Sequence, residues 1–348
     1  MVGVLGATGA VGQRMIALLD GHPRFELGDV VASAKRVGQA YGEAVAWRLP
    51  GGAPAGAAGL LLRDLSEGPL EGLTTYFSAL DSSVAGEAEE AFAGAGCAVV
   101  SNSRNHRMDP DVPLLVPEVN SEHLEAIGRQ RQRRAGPGFI VTNPNCSVVH
   151  VAMALAPLDR AFGVERVHVA TLQAASGAGY PGVSAWDLID NVIPFIGGGE
   201  EEKIETEPRK ILGRHDAAGF AASPMQISAQ VHRVPVIDGH LAALSITLKE
   251  RATLAQVHDA LSGFRGPAAL RGLPSAPEPP IHVLPEPDRP QPRLDRDRGN
   301  GMAVSVGRIR PCPIGDVRLV ALSHNTIRGA AGAAILNAEL LDAEGWLP

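Results

Sequence analysis

A short apolar run, Val2-Gly3-Val4-Leu5, ends in the turn Gly6-Ala7-Thr8-Gly9-Ala10-Val11-Gly12. It passes into Gln13-Arg14-Met15-Ile16-Ala17-Leu18-Leu19, where apolar side chains recur at helical spacing. A strand, a glycine turn and a helix in that order leave few folds open. Asp20-Gly21-His22-Pro23 stops the helix and Leu27 to Ala32 supplies a second strand, so that about thirty residues make one βαβ crossover. Further strands are expected at Thr74 to Ala79, Cys97 to Ser101 and Phe139 to Thr142, with a helix over Val84 to Phe92. Such alternation implies an α/β domain with a mostly parallel sheet.

Beyond Cys146 the pattern changes. Arg166 to Gln173 and Val231 to Lys249 read as strands, the latter long, and helices are expected over Val183 to Val192 and Lys203 to Leu212, which describes a second, α+β domain. Nine prolines between Pro267 and Pro292 interrupt any regular element and predict an extended arm. Val317 to Leu322 reads as a strand, and Asn325 to Leu341 as an Ala-rich helix returning to the first domain. The chain of 348 residues is long enough for about two domains. The division expected is residues 1–145 with 323–348 against residues 146–322.

Apolar residues make up 45% of the chain, charged residues 20%, and the net charge is −7. A phosphate-backbone binder would show a concentrated basic face, so no nucleic-acid partner is expected. The run Arg129-Gln130-Arg131-Gln132-Arg133-Arg134 reads as a solvated loop or helix end. Cys97, Cys146 and Cys312 are too scattered for a disulfide framework or a metal-ligand spacing, which predicts a reducing, cytoplasmic setting and no catalytic metal. The N-terminus enters a strand pattern rather than a leader, and no apolar segment is long enough to span a bilayer.

Glycines at 6, 9 and 12 let backbone N–H groups approach a pyrophosphate at the start of the following helix, making Gly6, Ala7, Thr8, Gly9, Ala10, Val11 and Gly12 the expected dinucleotide contacts. NAD binders usually carry a carboxylate near the end of the second strand. Here that stretch reads Ala32-Ser33-Ala34-Lys35-Arg36, so Ser33, Lys35 and Arg36 would receive a 2′-phosphate and NADP is the expected cofactor.

Asn143-Pro144-Asn145-Cys146-Ser147 places a thiol after a strand and ahead of an apolar helical pattern, where a helix N-terminus lowers a thiol pKa. Two readings stand open there: a nucleophile, or a small buried hydrophobe.

Further along stand Thr171-Leu172-Gln173-Ala174-Ala175-Ser176-Gly177, Gly199-Glu200-Glu201-Glu202-Lys203 and His232-Arg233-Val234-Pro235-Val236-Ile237-Asp238-Gly239-His240. With Ser101-Asn102-Ser103-Arg104-Asn105-His106-Arg107-Met108, Val116-Pro117-Glu118-Val119-Asn120, Pro290-Gln291-Pro292-Arg293-Leu294-Asp295 and His324-Asn325-Thr326-Ile327-Arg328-Gly329-Ala330-Ala331-Gly332, the chain resembles aspartate-β-semialdehyde dehydrogenases of the archaeal and fungal type. The resemblance runs from Val2 to the final helix.

It implies a Rossmann-like domain followed by a catalytic and dimerisation domain, and NADP-dependent, reversible reductive dephosphorylation of L-aspartyl β-phosphate to the semialdehyde in amino-acid biosynthesis. Cys146 would be the nucleophile and His240, seven residues after Arg233, the group that holds or removes the thiol proton. Gln173 would orient the acyl intermediate and Asn145 would help form the oxyanion site. Arg233 would grip the α-carboxylate and Glu200 the ammonium, with Glu202 an alternative, while Lys203 and Arg107 would receive the phosphoryl group. Ser176, Gly177, Asn325 and Thr326 would lie toward the nicotinamide, and a homodimer or homotetramer is implied. Two other readings remain: a reductase for N-acetylglutamyl phosphate or malonyl-CoA on the same scaffold, and a non-catalytic nucleotide-binding regulator. An aromatic residue follows the cysteine in the N-acetylglutamyl-phosphate enzymes, whereas Ser147 stands here.

Overall fold

A computed structural model describes residues 1–33, 36–216 and 218–348. The first sheet contains β1 (Val2–Leu5), β2 (Leu27–Ala32), β3 (Leu62–Asp64), β4 (Thr75–Ser78), β5 (Ala98–Ser101) and β6 (Phe139–Thr142). Their order is β3-β2-β1-β4-β5-β6 and every neighbouring pair is parallel. Strands covered on both faces need apolar side chains throughout, which explains the unbroken runs in β1 and β5. The order reverses between β1 and β4, and a crevice opens beyond their carboxyl ends.

Helices α1 (Ala10–Leu19) and α2 (Ser82–Gly94) follow β1 and β4. α1 buries Met15, Ile16 and Leu19 in one core with Val4 and Phe77. α2 starts at Asp81, whose carboxylate accepts the Ser83 N–H at 2.9 Å.

The second sheet is mixed. It contains β7 (Val164–Gln173), β10 (Gln226–Arg233), β11 (His240–Leu248), β12 (Ile281–Leu284), β13 (Val304–Pro311) and β14 (Val317–Ser323), in the order β10-β7-β11-β14-β13-β12; β8 (Arg214–Asp216) and β9 (Gly219–Ala221) form a separate hairpin. α3 (Val148–Phe162) is buried from Val148 to Leu158 and shares a core with Leu244, Ile246 and Leu319 of this sheet. α4 (Glu200–Ile211) packs on β10 and α3. The closing helix α5 (Gly332–Ala343) puts Ile335 and Leu336 into the core of the first sheet. Among the described residues, no helix is long and apolar enough to cross a membrane.

Four expectations need correction. The long strand over Val231 to Lys249 is two strands, because Pro235 lacks a donor and Gly239 turns the chain at φ +103°. Of Val183 to Val192 only Ala185–Leu188 is helical; Trp186, Ile189 and Val192 recur at helical spacing but are 92%, 68% and 51% exposed, so no core within the chain supports a helix. The proline-rich arm contains the four proline-free residues of β12, an edge strand paired parallel with β13. The last helix is preceded by a π turn over Ile327–Ala331. The basic run is a helix, Ile127–Arg134, whose Arg133 pairs with Asp111 at 2.8 Å and whose Arg134 pairs with Glu90.

Three histidines are sealed in the fold. His123 bonds Asn120 at 2.9 Å, His150 on α3 bonds Ser323 at 3.1 Å, and His240 begins β11. Burial holds His123 down to about 4 and His150 to about 3, and pushes His240 well below the ordinary range. Unfolded rings take up protons near 6.5, so the stability these neutral rings lend is present above that pH and is lost as pH falls toward the folded values. Each ring contributes a slope of ~1.4 kcal/mol per pH unit there. Glu89, raised by burial, opposes them singly. The urea midpoint should therefore fall clearly between pH 7.5 and 5.5; an unchanged midpoint contradicts this.

Candidate active site

Gly6 has φ +78°, and a Cβ there would lie 2.7 Å from the Ala79 carbonyl oxygen; at Gly12 it would lie 2.3 Å from the Gly6 oxygen. Both glycines are demanded by the turn itself. Gly9 differs, since a Cβ there would meet only the Gly6 oxygen, at 3.4 Å. It is also the N-cap of α1 with no side chain to satisfy the first N–H groups, so these stay available to an anion.

A cleft of about 810 Å³ lies against this turn, bordered by Gly6, Thr8, Gly9, Ala10 and Val11 from one side and by Ser33 and Arg36 from β2's end. Ala7 and Gly12 lie behind its wall; the Tyr41 hydroxyl donates to the Ala7 carbonyl at 2.9 Å and holds the turn in place. Lys35 lies outside the described residues. Arg48, which the sequence did not single out, also borders the cleft, and its guanidinium stacks 3.4 Å from the Tyr180 ring centroid.

A second cleft of about 760 Å³ contains Cys146, and Leu80 and Asp81 border both. The loop after β6 delivers Cys146 to the start of α3. Asn145 shapes that loop: its Oδ1 accepts the Ser147 N–H at 2.8 Å while its Nδ2 donates to Glu200 at 2.9 Å. Its side chain is thus committed to the loop and to Glu200. Gly329 backs the nucleophile closely, since a Cβ there would stand 2.8 Å from the Cys146 Cβ.

Arg107, Arg233, Glu200 and Lys203 converge on the same cleft. Lys203 Nζ donates to Glu200 at 3.1 Å, and Arg107 donates to Glu207 at 2.9 Å and to the Asn102 carbonyl at 2.9 Å. Glu200 is buried and Glu202 exposed, which separates the two carboxylates that the sequence left open.

The second sheet supplies the other wall. Gln173 and Arg233 are register partners at the carboxyl ends of parallel β7 and β10, and His240 opens antiparallel β11 beside them. Arg233 donates to the Ala174 carbonyl at 2.7 Å, and the Ala174 N–H donates to His240 Nδ1 at 3.0 Å. Gly177 fits between the two side chains, because a Cβ there would lie 2.8 Å from His240 Nε2 and 2.9 Å from Arg233 Nη1. Gln173 is buried with its amide 3.3 Å from the Thr171 hydroxyl. Asn325 accepts the Gly239 N–H at 2.8 Å and donates to Ser176 at 2.8 Å, tying together the loops around His240. Thr326 contacts His324 at 3.4 Å. Ser176, Gly177 and Asn325 therefore gather around His240, and Gly177 borders the Cys146 cleft, while Gly179 and Tyr180 border the cleft at the glycine turn.

Two electrostatic results alter the expected chemistry. Burial, reinforced by Glu200 and opposed by Arg107, Arg233 and Lys203, pushes the Cys146 thiol up to about 12, so the lowered pKa expected at a helix start is overridden. The thiol is protonated at neutral pH. Burial pushes His240 well below the ordinary imidazole range, and its Nδ1 accepts the Ala174 N–H, which leaves the ring proton to Nε2, a nitrogen with no hydrogen-bond partner beside Gly177 of the cleft. A ring in that tautomer is a donor.

Cys97 is buried and pushed up to about 11, and Cys312 is buried. Among the described residues no three His, Cys, Asp or Glu side chains group to hold a metal ion. Sequence reading missed Arg48, Glu207 and Lys210. Glu207 and Lys210 continue the helical row that begins at Glu200 and Lys203, and that spacing was the available signal.

Residues 1–127 match the family described as semialdehyde dehydrogenase, NAD binding domain, and residues 155–328 the one described as semialdehyde dehydrogenase, dimerisation domain. The aspartate-semialdehyde dehydrogenase of Methanothermobacter thermautotrophicus is 47% identical over 98% of each chain, and that of Schizosaccharomyces pombe 46% over 99% of each. A crystal structure of aspartate semialdehyde dehydrogenase with NADP from Candida albicans superposes with a TM-score of 0.91 at 44% identity, covering 99% of both chains. Aspartate semialdehyde dehydrogenase II of Vibrio cholerae complexed with ASA gives 0.77 at 27% identity over 98% of this chain and 97% of that one. With Cys146 and Arg233 lining one cleft, and Gln173 and His240 at the strand ends beside Arg233, this chain belongs to the aspartate-semialdehyde dehydrogenase family.

Proposed function

We propose that the chain interconverts L-aspartyl β-phosphate and L-aspartate β-semialdehyde plus inorganic phosphate, using NADP and a thioacyl intermediate on Cys146. The observation that carries this reading is the composition of one cleft: a thiol, an arginine for a carboxylate, a buried glutamate for an ammonium, and a Lys and an Arg for a phosphoryl group. The NADP of the Candida relative and the ASA of the Vibrio one support it.

The residues divide the work as follows. Arg233 binds the α-carboxylate bidentately and Glu200 takes the ammonium, which neutralises the one charge that raises the thiol pKa. Lys203 and Arg107 hold the phosphoryl group. Cys146 Sγ attacks the acyl carbon, the C–O bond to phosphate breaks, and the thiol proton leaves on the departing phosphate. Acyl phosphate dianion and thiol become thioester and hydrogen phosphate, so no enzyme base is consumed. Bound NADPH supplies the hydride. His240, as the Nε2–H tautomer, donates to the thioester oxygen as charge develops on it, a task suited to a neutral imidazole. Collapse of the alkoxide releases the aldehyde and the thiolate, which solvent reprotonates. Gln173, beside Arg233, orients the acyl group.

Gly9's open face, the start of α1, and Ser33 and Arg36 at β2's end fit a dinucleotide carrying a 2′-phosphate. The cofactor unit is residues 1–145 with 323–348, and residues 146–322 form the catalytic and dimerisation unit. Exposed Trp186, Ile189 and Phe195 in the latter support a homodimer or homotetramer. Three free cysteines agree with a cytoplasmic setting.

An assay of NADPH formation from the semialdehyde should require phosphate, with malonyl-CoA and NAD as controls. Cys146→Ser should lower turnover roughly 10³-fold or more while leaving NADP binding intact; comparable turnover refutes the mechanism. Arg36→Ala should raise the KM for NADP about tenfold, the loss of ~1.5 kcal/mol expected for one charge-assisted bond, and leave that for NAD little changed. Equal effects on the two cofactors would count against a 2′-phosphate contact.

A further inference from the structure

We infer that Glu207 is a positioning residue that fixes the phosphoryl-binding Arg107 relative to Cys146, an inference that rests on the function proposed above. Glu200, Lys203, Glu207 and Lys210 are spaced three, four and three residues apart, so they share one face of α4. The first two touch the cleft. Glu207 lies behind them, 2% exposed, and its two carboxylate oxygens have different tasks.

Oε1 accepts from Arg107 Nη1 at 2.9 Å and Oε2 accepts the Asn145 N–H at 2.6 Å. One carboxylate thus joins the guanidinium that would hold the leaving phosphate to the amide immediately before the nucleophile. The Asn102 carbonyl takes Arg107 Nη2 at 2.9 Å, so the guanidinium is held on two of its three nitrogens. Lys210 fastens the same loop from below, donating to the carbonyls of Arg107, Asp109 and Val112 at 2.8, 2.7 and 2.8 Å. Burying a charge pair costs desolvation that an apolar contact would not. What the pair supplies is direction: with Nη1 on Glu207 and Nη2 on the Asn102 carbonyl, the guanidinium plane is fixed at the edge of the cleft.

A glutamine cannot replace this acceptor. Its amide nitrogen would face either Arg107 Nη1–H or the Asn145 N–H, donor against donor, and one of the two bonds must break. An aspartate keeps both acceptors and the charge but is shorter by one methylene.

The test compares wild type with Glu207→Gln and Glu207→Asp in the full chain, measuring NADP reduction by the semialdehyde with phosphate varied. Glu207→Gln should raise the KM for phosphate at least about tenfold, with the KM values for semialdehyde and NADP within about twofold of wild type, and Glu207→Asp should recover part of the loss. A merely structural role would instead move all three constants together or lower kcat alone. Either of those results in a folded variant, or failure of both variants to fold, overturns the inference. Absence of phosphate-dependent activity in the wild type would instead reject the proposed function, which keeps the two failures apart.

Discussion

Two buried carboxylates of one helix grip the residue before the nucleophile. Glu200 takes the Asn145 side chain and Glu207 its backbone N–H, and Asn145 in turn accepts the Ser147 N–H just ahead of α3. Asn143 anchors the same loop from its other side, donating to the Ala330 carbonyl and accepting from Asn337. Everything else at the site is referred to that loop. The parallel ends of β7 and β10 bring Gln173 and Arg233 to it, and the start of β11 brings His240. Close contacts that only glycine permits, at Gly177 and Gly329, let these walls approach.

The desolvation around the half-buried cysteine also raises its pKa. Glu200 adds to that rise, while Arg107, Arg233 and Lys203 oppose it. In the proposed reaction an ammonium paired with Glu200 would ease that part of the rise, and the phosphoryl group would accept the thiol proton. On that proposal recognition and activation would be one event. His240 fits this scheme as a donor, because the Ala174 amide occupies the nitrogen that a base would need.

Much of the first sheet was legible in the sequence, because strands buried on both faces are written as unbroken apolar runs and each glycine turn or Asp cap marks a boundary. The second sheet was less so. Val231 to Lys249 carries a continuous β-pattern that hides the turn at Val234–Gly239, and the spacing of Trp186, Ile189 and Val192 imitates a helix that nothing in the chain packs against. At the site, the groups that would touch ligands stood in recognisable motifs. Glu207, Lys210 and Arg48 did not, since their significance lies in what they reach across the fold: Arg107 is a hundred positions from Glu207 in sequence. The environment of the thiol was less legible for a related reason, as a helix start is visible in sequence while the desolvation around it is not.

The central claim is that Cys146 carries the acyl group between hydride transfer and phosphate attack. It is tested most directly by mixing the chain with NADP and the semialdehyde in rigorously phosphate-free buffer and following absorbance on a stopped-flow time scale. The account predicts a rapid burst of NADPH no larger than one equivalent per chain, then arrest, with the acyl group recovered on the peptide containing residue 146. Steady turnover without phosphate, or an acyl group found on another residue, would contradict it.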